Sequence, residues 1–271
     1  MPELPEVETV VRTLRPRLVG ATVSCVTLFR RDIVKSLAID VPQQLVGRSF
    51  QGVLRRGKKI LLLLDHGTVC IHLGMSGQLT LEHPDAPLRP HTHLVLSLTT
   101  QCSAGALQLR FRDPRRFGGV WLLSSPDLAN ANLGPEPLTL RPDQLSTILS
   151  HTRRPIKSAL LDQSLIAGLG NIYVDESLFA AGIHPLTAAN ELSPEHIRRL
   201  TRAIKLILRR AIRHRGSSIR DYIDVNGSSG RFQRLHNVYA REDEPCRRCK
   251  TAIRRIVLAG RGTHYCPTCQ K

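Results

Sequence analysis

The chain opens Met1-Pro2-Glu3-Leu4-Pro5-Glu6. Removal of Met1 leaves a proline secondary amine at the terminus, with carboxylates close behind it. An α-amino group titrates near ~7.8 and a lysine near ~10.4, so at pH 7.5 roughly a third of such amines are neutral, against roughly one lysine in a thousand. Such an amine is a usable nucleophile without heavy tuning. Its attack on a sugar C1′ gives an iminium directly, a form of covalent catalysis. The same residues also read as a helix lead-in, with Pro5 at the first helical position and Val7, Val10, Val11, Leu14 and Leu18 on one face. The helix accounts for Pro5 and leaves Pro2 unexplained.

A second chemical signal closes the chain. Cys246-x2-Cys249 and Cys266-x2-Cys269 stand sixteen residues apart, a spacing that suits one four-thiolate Zn2+ site. About 40 residues at this end are too few for a core of their own, so the metal supplies folding energy. Four protein ligands leave no open position for water, which makes the zinc structural. Arg254, Arg255 and Arg261 lie between the pairs, and a zinc-pinned hairpin displaying arginines is a reasonable nucleic-acid reader. Cys25, Cys70 and Cys102 are scattered. The seven cysteines therefore point to metal ligation in a reducing compartment, not to a disulfide framework.

These groups need elements to hold them. The 271 residues set a prior of about two domains, and 41% hydrophobic content can build real cores. No run approaches the ~20 apolar residues of a membrane span, and the acidic start does not resemble a signal peptide. With 39 Lys+Arg against 22 Asp+Glu the net charge is +17, a field that attracts polyanions. The absence of a basic helix with a bulky aromatic face weakens the membrane reading. From Val23 to about Leu123 short apolar runs recur, at 53–54, 60–64, 69–73, 94–98, 107–111 and 120–123, between Gly- and Pro-rich breaks. They predict a two-layer β domain with the first helix packed on it. Residues 124–141 read as a linker. Beyond them the period is helical: short helices at 145–149 and from Pro155, a helix over 171–181 closed by Gly182, and a long one over 193–215 with Ser193 as N-cap and Gly216 at its end. One face of the long helix is apolar; the other carries a run of arginines, each most simply read as solvated.

Six motifs occur in one order: Pro2-Glu3-Leu4-Pro5-Glu6-Val7-Glu8-Thr9, Arg56-Gly57-Lys58, His72-Leu73-Gly74-Met75-Ser76-Gly77, Asp113-Pro114-Arg115-Arg116-Phe117-Gly118, Gly170-Asn171-Ile172-Tyr173 and the cysteine quartet. Together, and over essentially the whole chain, they resemble the bacterial formamidopyrimidine-DNA glycosylase family. The resemblance implies an α+β multidomain fold. Its parts are an N-terminal β-sandwich with flanking helix over 1–134, a linker and start of the helical domain over 135–150, a helix-two-turn-helix domain over 151–228 and a zinc-finger β-hairpin over 229–271. It implies a bifunctional glycosylase/AP lyase of base excision repair acting on oxidised purines in double-stranded DNA. It also implies a monomer that engages no membrane and works in the bacterial cytoplasm at the nucleoid.

By the same resemblance the catalytic residues are Pro2 as nucleophile, Glu3 as the acid near the sugar ring oxygen, Lys58 and Arg261. Glu6 helps organise the helix and site. Flipping the damaged nucleotide leaves a hole in the stack, which Met75, Arg115 and Phe117 fill, Arg115 facing the orphaned cytosine. His91, Arg110, Arg115, Lys157, Asn171 and Arg261 are the DNA-binding positions. Strand parity puts Lys58 on one face with Ile60, Leu62 and Leu64. Lys59 replaces the more usual uncharged residue. The segment Gly216-Ser217-Ser218-Ile219-Arg220-Asp221-Tyr222 corresponds to the family's cover over the everted base, with serines where threonines are frequent. Competing readings are the sibling endonuclease VIII, which prefers oxidised pyrimidines, and a non-catalytic zinc-finger DNA-binding protein. The leucine of Pro2-Glu3-Leu4-Pro5-Glu6 and the 113–118 motif favour the purine branch. At 4% aromatic content, RNA stacking platforms are poorly supplied.

Overall fold

The computed structural model describes residues 2–35, 40–99, 106–219 and 222–271; Cys102, Arg220 and Asp221 lie outside them. The chain forms two compact units, 1–131 with 215–231, and 132–214 with 232–271.

The first unit begins with helix α1 (Leu4–Leu18), which starts one residue before Pro5. Its face of Val7, Val10, Val11, Leu14 and Leu18 is buried. Strand β1 (Thr22–Leu28) and a short helix α2 (Val41–Leu45) follow. The remaining strands are β2 (Phe50–Arg56), β3 (Lys59–Leu64), β4 (Thr68–His72), β5 (Gln78–Glu82), β6 (Thr92–Thr99), β7 (Leu107–Arg112) and β8 (Gly119–Leu123). They make two antiparallel four-stranded sheets, ordered β1-β6-β7-β5 and β2-β3-β4-β8. The α1 face and the inward residues of both sheets share one core, as two sheets packed face to face require. On β3, Ile60, Leu62 and Leu64 enter that core. Leu61 and Leu63 face the other way, against Cys70, Trp121 and Ala129.

Two expectations are corrected here. Lys58 is not a strand residue. Arg56 pairs with Lys59, so Gly57 and Lys58 form a two-residue hairpin turn. Gly57 takes φ 54° at the first central position, where a type II′ hairpin turn favours glycine. The segment after the long helix, expected within the helical domain to residue 228, groups with the β-sandwich instead. The cause is a hydrogen-bonded anchor on α1, described below.

The second unit carries α3 (Pro142–Ser150), α4 (Ile156–Leu161), α5 (Asn171–Ala181), α6 (Pro194–Arg213) and the hairpin β9 (Arg254–Leu258) and β10 (Arg261–Tyr265). α5 is buried on almost every side and ends at left-handed Gly182, φ 69°. α6 is N-capped by Ser193, whose Oγ accepts the His196 N–H at 3.2 Å. Leu258 pairs with Arg261, so Ala259 and Gly260, both at positive φ, make the tight hairpin tip. No helix among the described residues is long and apolar enough to cross a membrane.

Candidate active site, phosphate contacts and metal centre

Pro2 and Glu3 are buried at the head of α1. Glu6 organises them. Its Oε2 accepts the Glu3 N–H at 2.8 Å, the reach-back of a third helical residue to the N-cap. Its Oε1 accepts the Ser217 N–H at 2.7 Å, a bond across 211 residues of sequence. The Tyr222 hydroxyl donates to the Glu6 carbonyl at 3.2 Å. Burial, then the Glu6 charge, push the Tyr222 phenol far up, so it remains a donor. Left-handed Gly216 lies so close to the Glu6 carboxylate that a Cβ would overlap it. One buried carboxylate thus fixes both the Glu3 end of α1 and the start of the 216–231 segment.

The Lys58 turn is tied to the same helix. Glu8 of α1 accepts from Arg55 Nε at 2.8 Å, and Arg55 Nη1 donates to the Gly57 carbonyl at 3.0 Å. Lys58 is itself buried. Nearby His72 is held below the ordinary histidine range by burial first, then by the Lys58 and Lys59 charges. Its Nδ1 accepts the Gly74 N–H at 3.1 Å. Lys59 donates to the Ala129 carbonyl at 3.0 Å.

Met75 and Phe117 are 38% and 62% exposed, which excludes a core role for either. Arg115 is exposed beside Phe117. Their two turns are locked together through Asp113, which is fully buried. Asp113 Oδ1 accepts from Ser76 Oγ at 2.6 Å and from the Arg115 N–H at 3.3 Å, and Oδ2 accepts the Gly118 N–H at 2.8 Å. Gly74 packs on the Phe117–Gly118 backbone with no room for a side chain. The Asp113 N–H donates to the carbonyl of exposed, left-handed His91 at 3.1 Å. Asp113 was legible only as part of a motif. Its role shows once the turns meet: it presents His91, Met75, Arg115 and Phe117 from one support.

Arg110 is corrected. It is 4% exposed, and its guanidinium donates to the carbonyls of His83, Pro84, Ala86 and Pro87 and to Gln108. It organises the 83–87 loop and is not presented to a DNA backbone.

In the second unit Lys157 is likewise corrected. It is 0% exposed, its Nζ bonding Asp175 Oδ1 at 2.7 Å and the Gly262 carbonyl at 3.0 Å. Asn171 Nδ2 donates to that same carbonyl at 2.9 Å. Asp175 Oδ2 accepts from the His264 N–H at 2.9 Å. Arg261 stands exposed at the hairpin tip, one residue from Gly262. Lys157, Asn171 and Arg261 therefore converge, but only Arg261 of the two long cations reaches solvent. Asp175 escaped the sequence reading; the signal was a pair of carboxylates, Asp175-Glu176, inside an apolar helix. Glu176 accepts the main-chain N–H groups of Asn237, Val238 and Tyr239 at 2.9–3.0 Å.

Cys246, Cys249, Cys266 and Cys269 bring their sulfurs within 4.8 Å of one another. Cys246 to Cys269 is 4.0 Å and Cys249 to Cys266 is 3.4 Å. A tetrahedron of ~2.3 Å Zn–S bonds has edges of about 3.8 Å, so the donor set fits one zinc with no vacancy for substrate. Cys246 and Cys266 are buried against Phe179, Val238 and Ile253, while Cys249 and Cys269 are partly exposed.

Three family models match the chain: "Formamidopyrimidine-DNA glycosylase N-terminal domain" over 1–120, "Formamidopyrimidine-DNA glycosylase H2TH domain" over 133–223 and "Zinc finger found in FPG and IleRS" over 243–271. The formamidopyrimidine-DNA glycosylase of Chloroflexus aggregans is 47% identical over 278 residues, covering 100% of this chain and 98% of that one. That of Geobacillus kaustophilus is 42% identical over 279 residues, covering 100% of both. Among solved structures, Lactococcus lactis Fpg with Fapy-dG-containing DNA superposes at TM-score 0.90 and 38% identity, covering 99% of this chain and 100% of that one. The same enzyme with abasic-site DNA gives TM-score 0.90 and 38% identity over 99% of each chain. Sandwich, buried Pro2, locked turns and four-sulfur centre thus occur in a chain that belongs to the formamidopyrimidine-DNA glycosylase family.

Proposed function

We propose that this chain removes oxidised purines, 8-oxoguanine and formamidopyrimidines, from duplex DNA and then cleaves the resulting abasic strand. The observation that carries this reading is the terminus itself: Pro2 and Glu3 at the buried head of α1, set by the Glu6 bonds to Glu3 and Ser217. The neutral Pro2 amine attacks C1′ and the C1′–base bond breaks, the amine proton leaving with the base. Glu3 protonates the ring oxygen as the sugar opens, which leaves a Pro2–C1′ iminium. Loss of a C2′ proton expels the 3′ phosphate. A further proton loss expels the 5′ phosphate, and water hydrolyses the iminium to free Pro2.

Lys58, on a turn tethered to α1, serves phosphate contact and proton transfer. Met75, Arg115 and Phe117 enter the gap left by the everted nucleotide; their exposure on rigid turns supports this, since wedges must be solvent-facing yet preorganised. His91, Asn171 and Arg261 meet backbone phosphates, and Arg261 offsets the charge of a departing one. Lys157 positions the Asn171 and Arg261 end of the hairpin through the Gly262 carbonyl, Arg110 holds the 83–87 loop, and neither touches DNA. The 216–222 segment covers the everted base. The zinc holds the Arg261 hairpin in shape. The enzyme works as a monomer on nucleoid DNA in the cytoplasm, without a membrane partner.

The test is borohydride trapping on a duplex bearing 8-oxoguanine opposite cytosine. A covalent adduct mapped to Pro2 is expected. No adduct from protein whose terminus is verified as free proline overturns the mechanism.

A further inference from the structure

One strongly charged surface is untouched by the chemistry above. Helix α6 exposes Arg198, Arg199, Arg202, Arg209, Arg210 and Arg213. At 100° per residue these fall within a sector of about 120°. From Arg198 to Arg213 they extend ~22 Å along the axis at ~1.5 Å per residue. Arg198 pairs with Glu195 at 2.7 Å. Among the described residues, no carboxylate pairs with the other five.

A face built only for solubility mixes both signs; this one has a single acid. Like charges four residues apart, as in Arg198/Arg202 and Arg209/Arg213, oppose the helix they sit on. The helix dipole favours cations in the last turn only, which accounts for Arg210 and Arg213 and not for the other four. The helix persists because its opposite face, Ile197, Leu200, Ile204, Ile207, Leu208 and Ala211, is buried. An uncompensated, rigid row of guanidinium groups is what a regular polyanion complements. Guanidinium forks match phosphate geometry, and ~22 Å of duplex presents roughly thirteen phosphate charges.

We infer that the arginine face of α6 is a second DNA-contacting surface, which grips the backbone of undamaged duplex independently of the lesion chemistry. The choice of duplex DNA as occupant rests on the glycosylase reading, since that substrate brings abundant phosphates to the protein.

The test is an Arg202→Gln/Arg209→Gln/Arg213→Gln variant, glutamine keeping helix propensity. Binding to a long undamaged duplex is titrated across salt. Each lost phosphate contact lowers the slope of log K against log salt by about 0.9, so a fall of roughly two to three units is expected. Single-turnover excision from a saturating short lesion duplex should hold at the wild-type rate, and an Arg→Lys triple variant should restore the slope. An unchanged slope overturns the inference. So does a loss that lysine does not restore, or a loss of affinity for polyglutamate or RNA with that for duplex DNA intact. Absence of excision by the wild type would count against the glycosylase reading alone, because the slope is measured without it.

Discussion

Glu6 of the β-sandwich unit and Asp175 of the helical unit are both buried carboxylates that tie distant segments together, and they are compensated differently. Glu6 accepts main-chain N–H groups from Glu3 and Ser217. Asp175 faces the Lys157 ammonium and also takes the His264 N–H. Glu6 thus joins the head of α1 to the segment after α6 through main-chain amides. A buried ion pair largely cancels itself and adds little net stability, but it fixes geometry, since losing one partner strands the other. One unit thus uses a buried acid to set the head of α1 against the 216–217 backbone, the other to set the register between α4, α5 and the β9–β10 hairpin.

Removing zinc separates the two units most sharply. Structural zinc is worth roughly 10–16 kcal/mol in isolated finger peptides, and the β-sandwich core includes no part of the cysteine cluster. Chelation, or Cys246→Ser with Cys249→Ser, is expected to abolish DNA binding while slow amide exchange in β2, β3 and β4 persists. Full DNA binding by protein shown to be free of zinc would remove the hairpin from the phosphate contacts.

The Asp175 ion pair comes next. Asp175→Ala leaves the Lys157 ammonium buried without its counter-charge, expected to cost about 3–5 kcal/mol in urea unfolding. Adding Lys157→Met should recover most of that loss, because an apolar side chain of similar length needs no partner. If the single variant is as stable as wild type, the pair is not the register lock described. If the double variant recovers stability yet binds DNA much more weakly, Lys157 meets a phosphate after all.

How far these arrangements were legible follows from the distances over which they form. Helix α5 was read to its observed bounds because Asn171, Gly182 and a continuous apolar stretch are local signals. The cysteine spacing and the long amphipathic helix are local too, although the latter stops at Arg213, with Arg215 already left-handed. Strand β5 was missed: Gln78, Thr80 and Glu82 alternate with Leu79 and Leu81, so no apolar run marks it. Arg110 was placed at the DNA by the resemblance alone; parity along β7 sends it away from the core shared by Leu109 and Phe111. The 83–87 loop covers that side, and no local pattern announces a covering loop. Lys157 finds its partners 18 and 105 residues away, and Ser217 finds Glu6 across 211. Such pairings exist only once the fold has closed.

The smallest expected effect on stability, and the most telling for function, is Glu6→Gln. The amide keeps the shape and one acceptor oxygen, so either the Glu3 or the Ser217 N–H must face an NH2 group. Hydrogen bonds to a charged acceptor contribute about 1.5–3 kcal/mol each, and partial rearrangement should hold the global loss toward the lower end. The local consequence is larger. Gly216 leaves no slack against the carboxylate, so the Ser217 amide should exchange faster while Val10 and Leu14 amides in α1 do not. Excision should slow by roughly tenfold, the equivalent of about 1.4 kcal/mol, with affinity for undamaged DNA unchanged, because the Glu6 side chain holds the Glu3 and Ser217 amides. Equal slowing of exchange-insensitive DNA binding and excision would mean that Glu6 supports only the fold. Unchanged excision with a freed Ser217 amide would mean that the link between the two segments is not used in catalysis.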